Sequence, residues 1–134
     1  MGTASGANNV VTGTGVIRSY RDLRVWQEGM SLAVACYELT KPFPKSELFG
    51  MTSQIRRAAS SVPANIAEGY GRDSKGDHTQ FLRIAQGSLK ELETHLILCT
   101  QVSLLTDSGV RNVLEQCDRL GKMLHRLIRS LQSQ

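Results

Sequence analysis

A chain of 134 residues, 40% hydrophobic and only 5% aromatic, has the composition of one globular domain, large enough to bury a core without metals or disulfides. Its formal charge of +4 and pI near 9.2 are compatible with a nucleic-acid partner without requiring one. Cys36, Cys99 and Cys117, odd in number and without paired spacing, argue against a disulfide framework and read as reduced thiols of a cytoplasmic protein.

The chain opens on Met1 to Gly15, a run dominated by Gly, Thr, Ala, Ser and Asn. It has neither the basic start nor the apolar run of a secretory signal, and Gly6 stands where myristoylation wants Ser or Thr. Residues 1–17 are therefore expected to form a disordered tail and residues 18–134 a single domain. No later stretch approaches the roughly 18 apolar residues of a membrane span.

A first helix is expected from an N-cap at Asp22 to about Thr40, where Pro42 and Pro44 stop it. Leu23, Trp26, Met30, Ala33 and Tyr37 recur at three- and four-residue steps and share one face. Val25, Leu32, Cys36 and Leu39 form a second stripe about 120° away. Two apolar faces imply more than one neighbour, so this second stripe is a candidate subunit seam.

A second helix should start after Ser46 and end near Gly69, with Leu48, Met51, Ile55, Ala59, Val62 and Ile66 as its core stripe. Pro63 inside this pattern predicts a kink or break. Arg57, Ser61, Asn65 and Glu68, with Gln54 at the edge, make a polar ribbon that could flank the seam. Ser74 is expected to cap a third helix with Asp77 answering it, and Phe81, Ala85, Leu89, Leu92, Leu96 and Cys99 carry the stripe to about Leu105. Thr106 or Asp107 caps a fourth helix, where Val110, Leu114, Cys117, Leu120, Leu124, Leu127 and Leu131 repeat. Short connections favour antiparallel neighbours, so the expected fold is all-α: a single antiparallel up-down-up-down four-helix bundle.

Few residues suggest chemistry. Carboxylate di-iron bundles use Glu-x-x-His pairs, whereas the residues three before His78, His95 and His125 are Lys75, Leu92 and Lys122. Glu91 and His95 can share a helix face as a solvated pair. Gly69-Tyr70-Gly71-Arg72-Asp73-Ser74 joins two helices, lacks a third glycine and follows no strand, so it reads as a turn rather than a phosphate loop. No nucleophile sits on a Gly-flanked elbow. No catalytic residue, metal or cofactor is therefore expected, and no small-molecule substrate. Arg119, Lys122, Arg126 and Arg129 fall within about 80° on the last helix, opposite its leucines, and can track phosphates. Arg56 and Arg57 are the next nucleic-acid candidates.

The runs Tyr20-Arg21-Asp22-Leu23 and Val25-Trp26-Gln27 resemble the opening of the bacterial 23S rRNA intervening-sequence four-helix-bundle proteins. The likeness continues through residues 50–59, Ser61-Val62-Pro63 and residues 65–69, then Gln80-Phe81-Leu82, Gly87-Ser88 and Glu91-Leu92-Glu93, spanning residues 19–105. Asp77-His78 departs from the Glu-Phe often found in that family. The resemblance implies a cytosolic four-helix bundle assembling as a homopentamer, related to the basic accessory proteins of diversity-generating retroelements. The resulting expectation is a non-catalytic homo-oligomeric scaffold associated with RNA or a ribonucleoprotein. The alternative is a protein-interaction oligomer that binds no nucleic acid.

Overall fold

The computed structural model describes residues 11–12 and 15–134, so most of the expected tail lies outside the described residues. Two short strands, β1 (Val11–Thr12) and β2 (Gly15–Val16), pair antiparallel. Ile17 follows them at 1% exposure and belongs to the core, so apolar packing reaches one residue further toward the amino terminus than residue 18.

The first helix begins differently from the sequence expectation. Ser19 caps a 3-10 turn over Tyr20–Asp22, and Asp22 closes a capping box, its Oδ2 accepting from the backbone N–H groups of Arg18 (3.0 Å) and Ser19 (3.2 Å). Asp22 is thus the answering carboxylate rather than the N-cap of α1, which spans Arg24–Thr40. A second 3-10 turn, Lys45–Glu47, precedes α2 (Met51–Tyr70). Glu47 Oε1 there accepts from Met51 N–H at 3.0 Å, satisfying one of the unpaired donors at the start of α2.

Of the kink or break expected at Pro63, the break does not occur, and α2 runs unbroken through it. Pro63 is buried against Gly29 of α1, where a Cβ built on the glycine would lie 3.4 Å from Pro63 Cβ. An interior proline costs a helix about 3 kcal/mol, and close packing against a neighbour without a side chain offsets it. Ser74 caps α3 (Lys75–Gln101) by accepting from Asp77 N–H at 3.0 Å. Thr106 caps α4 (Asp107–Gln132) by accepting from Gly109 N–H at 2.9 Å.

Each helix packs on its sequence neighbour, and α4 returns to α1. The paired positions run in opposite directions. Gly29 meets Pro63 while Thr40 meets Arg56; Gly69 meets Phe81 while Ser61 meets Ser88; Lys75 reaches Gln134 while Leu89 faces Gly121. Ile55, Ala59, Val62, Ile66, Leu92, Leu96, Cys99, Cys117 and Leu124 are completely buried in the resulting core. A fully buried Val, Leu or Ile contributes about 1.5–3 kcal/mol, so these stripes hold the four helices together. Val113 and Ile128 join the α4 stripe, with Leu114 and Leu127 half-buried beside it.

The second stripe of α1 faces the core of its own bundle, and the first stripe divides: Leu23 and Ala33 are buried, whereas Met30 and Tyr37 lie outside. Val25, Leu32 and Cys36 are 6%, 1% and 0% exposed within a single chain, and Leu39 packs half-buried against the same core. They are core positions, not a free seam. Met30, Val34 and Tyr37 lie outside at 41%, 58% and 44% exposure.

Candidate nucleic-acid interface

The pronounced amphipathicity of α4 fixes its cations on the outer face: burial of Val113, Cys117, Leu120 and Leu124 turns the intervening positions to solvent. Arg119, Lys122, Arg126 and Arg129 are all exposed. Arg119 Nη2 lies 3.2 Å from Glu28 Oε1 of α1, and Lys122 Nζ lies 3.1 Å from Asp118 Oδ2. Arg126 and Arg129 form no ion pair among the described residues, so the unneutralised part of the face is the last two turns of α4.

Arg56 is engaged inside the bundle. Its Nε donates to Thr40 Oγ1 at 2.9 Å, its Nη2 to the Tyr37 carbonyl at 3.4 Å, and its guanidinium lies 4.5 Å from the Tyr37 ring centroid. One of these contacts reaches the Tyr37 carbonyl, in the last turn of α1 where carbonyl groups run out of helical partners. Arg56 is therefore a clasp between α1 and α2, whereas Arg57 is exposed without an ion pair among the described residues.

The polar ribbon of α2 divides likewise. Ser61 Oγ and Ser88 Oγ lie 2.8 Å apart across the α2–α3 seam, and Asn65 Nδ2 donates to Ser61 Oγ at 3.0 Å. Ser61 thus joins two helices of one chain with Asn65 bonded to it along α2, while Glu68 pairs with Arg72 on the surface. The thiols also belong to the interior: burial pushes Cys36 and Cys117 up to about 12 and raises Cys99. His95 Nε2 lies 3.6 Å from Glu91 Oε2. Among the described residues, no three His, Cys, Asp or Glu side chains cluster as a metal site. None of the described helices is long and apolar enough to cross a membrane.

Two of the surface concavities among the described residues bear on function. One is a groove of about 550 Å³ between α3 and α4, where Lys90, Lys122, His125 and Arg126 surround Gly87, Leu89, Cys117 and Gly121, with Gln86 and Asp118 at its sides. The other is a trench of about 460 Å³ between α1 and α2, lined by Tyr20, Trp26, Met30, Val34, Tyr37, Pro63, Ala64 and Ala67 among others. Glycines inside a helical pattern were the available signal for the first.

The family model for the 23S rRNA-intervening sequence protein matches residues 21–126. The chain belongs to this family. A solved structure from Bacteroides thetaiotaomicron, described as a protein with unknown function from the S23 ribosomal protein family, shares the fold of this chain. It superposes with a TM-score of 0.70 at 25% identity, covering 78% of this chain and 97% of the other. No curated protein matches.

Proposed function

We propose that this chain is a non-catalytic, cytoplasmic homo-oligomeric scaffold that associates with RNA or a ribonucleoprotein. The carrying observation is the exposed basic end of α4, where Arg126 and Arg129 have no acidic partner among the described residues and Lys122 holds only a surface ion pair. Cations at this spacing neutralise successive phosphates and release their counterions, giving binding that falls steeply with salt. The α1–α2 trench supports self-association, because its exposed Met30, Val34 and Tyr37 form a patch that a second copy can cover. Five copies is the number implied by the family resemblance.

The test is retention of a mixed RNA pool as salt rises, with wild type compared with a variant neutralised at Arg119, Lys122, Arg126 and Arg129. Salt-sensitive binding lost in the folded variant supports the reading; equal binding by both moves RNA off α4. The α1–α2 trench also favours a second reading, a protein-interaction oligomer without nucleic acid. Salt-independent self-association with no retained RNA would select it.

A further inference from the structure

We propose that the groove between α3 and α4 is a nucleotide-binding site, holding the phosphate between Lys90, Lys122 and Arg126 and the base over the apolar floor at Leu89. The identification of its ligand with an RNA unit rests on the RNA-associated reading above; the groove itself does not.

Two helix-interior glycines open this seam, and packing requires neither. A Cβ on Gly87 would meet nothing within 4 Å, and one on Gly121 would touch only Leu89 Cδ2 at an ordinary 3.5 Å. Neither glycine has a positive φ. Glycine in a helix interior costs about 0.5–1 kcal/mol relative to alanine, so two of them flanking one cavity reduce stability without serving the fold. Their effect is to leave a groove of about 550 Å³, within the ~300–1,000 Å³ range of small-ligand sites.

The chemistry of the wall selects the ligand. Three cations face one carboxylate, Asp118, around the groove. Asp118 is held by Lys122, but the two side chains are 68% and 69% exposed. Such a solvated pair contributes only about 0.2–1 kcal/mol, so the phosphate oxygens of a nucleotide can draw Lys122 away. Lys90 is itself 77% exposed and pairs with Glu93, whose side chain is 20% exposed, so its exchange to phosphate gives up a less solvated partner. Arg126 needs no such exchange and offers a planar fork suited to phosphate oxygens. Below the cations, Leu89 and the glycine backbones form an apolar floor that accepts a flat ring, and His125 supplies the aromatic side chain at the wall. A phosphate alone would use the rim and leave this floor unfilled.

The test uses the full chain with two probes, uridine 5′-monophosphate and a single-stranded oligouridylate of about eight nucleotides, comparable to the site size of a small single-strand binder. Binding is read by calorimetry for wild type, Gly87→Leu, Arg126→Gln and Arg129→Gln, with helix content checked in each. Should Gly87→Leu lose helicity, Gly87→Ala with Arg126→Gln replaces it. The expected result is a loss of about tenfold or more in affinity for both probes on filling the groove or removing Arg126. Arg129→Gln should leave the mononucleotide affinity unchanged and weaken only the oligonucleotide. Monophosphate binding without oligonucleotide binding supports the groove, identifies a free nucleotide as the ligand and defeats the RNA-associated reading. Oligonucleotide binding that Gly87→Leu and Arg126→Gln leave intact overturns the groove and preserves that reading. No binding of either probe overturns the groove.

Discussion

The seam between α2 and α3 and the seam between α3 and α4 share one helix and use glycine to opposite ends. At Gly69 a Cβ would lie 2.8 Å from Phe81 Cβ, 3.1 Å from the His78 carbonyl and 3.2 Å from the His78 ring, so the glycine permits a closed contact. At Gly87 the same atom would enter open space. The closed seam is reinforced by the Ser61–Ser88 hydrogen bond and buries His78 at 3% exposure. The open seam is bordered by Lys90, Lys122 and Arg126. One seam specifies the bundle, and the other offers surface chemistry that the bundle does not use.

The largest test of this contrast lies in the shared core. Leu92 is fully buried, and Leu92→Ala should cost about 2–5 kcal/mol. An unchanged denaturation midpoint would remove α3 from the centre of the bundle and collapse the distinction between its seams. Next comes Gly69→Ala, whose methyl must displace the Phe81 β-carbon and the backbone of α3, with an expected loss of about 1–3 kcal/mol. Melting temperature reads it directly, and wild-type stability in this variant would contradict the closed seam.

A pH series sharpens the same comparison. Burial lowers the His78 pKa from its ordinary value, and its Nε2 finds no hydrogen-bond partner among the described residues. The unfolded chain, with a histidine near ~6.5, then binds a proton that the folded chain refuses. Stability due to neutral His78 is present above that pH and is lost as pH falls from the unfolded toward the lower folded pKa. The slope of melting temperature below about pH 6.5 should flatten in His78→Phe. An identical slope in both proteins assigns the acid sensitivity elsewhere.

The smallest effect has the opposite sign. Gly87→Ala adds a methyl to empty space and should stabilise by about 0.4–1 kcal/mol through the unfolded chain, seen as a modest rise in melting temperature. Destabilisation would mean that the α3–α4 seam is closed in solution. Thiol labelling supplies a control for both seams: Cys36 and Cys117, pushed up to about 12, should react slowly in the native protein and rapidly in denaturant. Rapid native labelling would place the core itself in an open state.

The four helices, the Ser74 cap, the start of α4 at Thr106 or Asp107 and the stripes of α3 and α4 were legible in the sequence, because three- and four-residue periodicity and capping are local properties of the chain. So was the exposure of Arg126 and Arg129, which follows from the leucines opposite them. The continuous path through Pro63 was not legible, since it depends on Gly29 of another helix lying against the ring. Nor was the orientation of α1: Val25, Leu32 and Cys36 of the second stripe went inward with Leu23 and Ala33 of the first, and Met30 and Tyr37 stayed outside. Periodicity places residues on a common face but cannot orient that face toward a neighbour. Arg56 likewise became a clasp only because Thr40 and Tyr37 ended beside it. The sequence determined the helices, their polarity and their charge; the tertiary structure alone decided which faces met, and therefore whether a glycine closed a seam at Gly69 or opened one at Gly87.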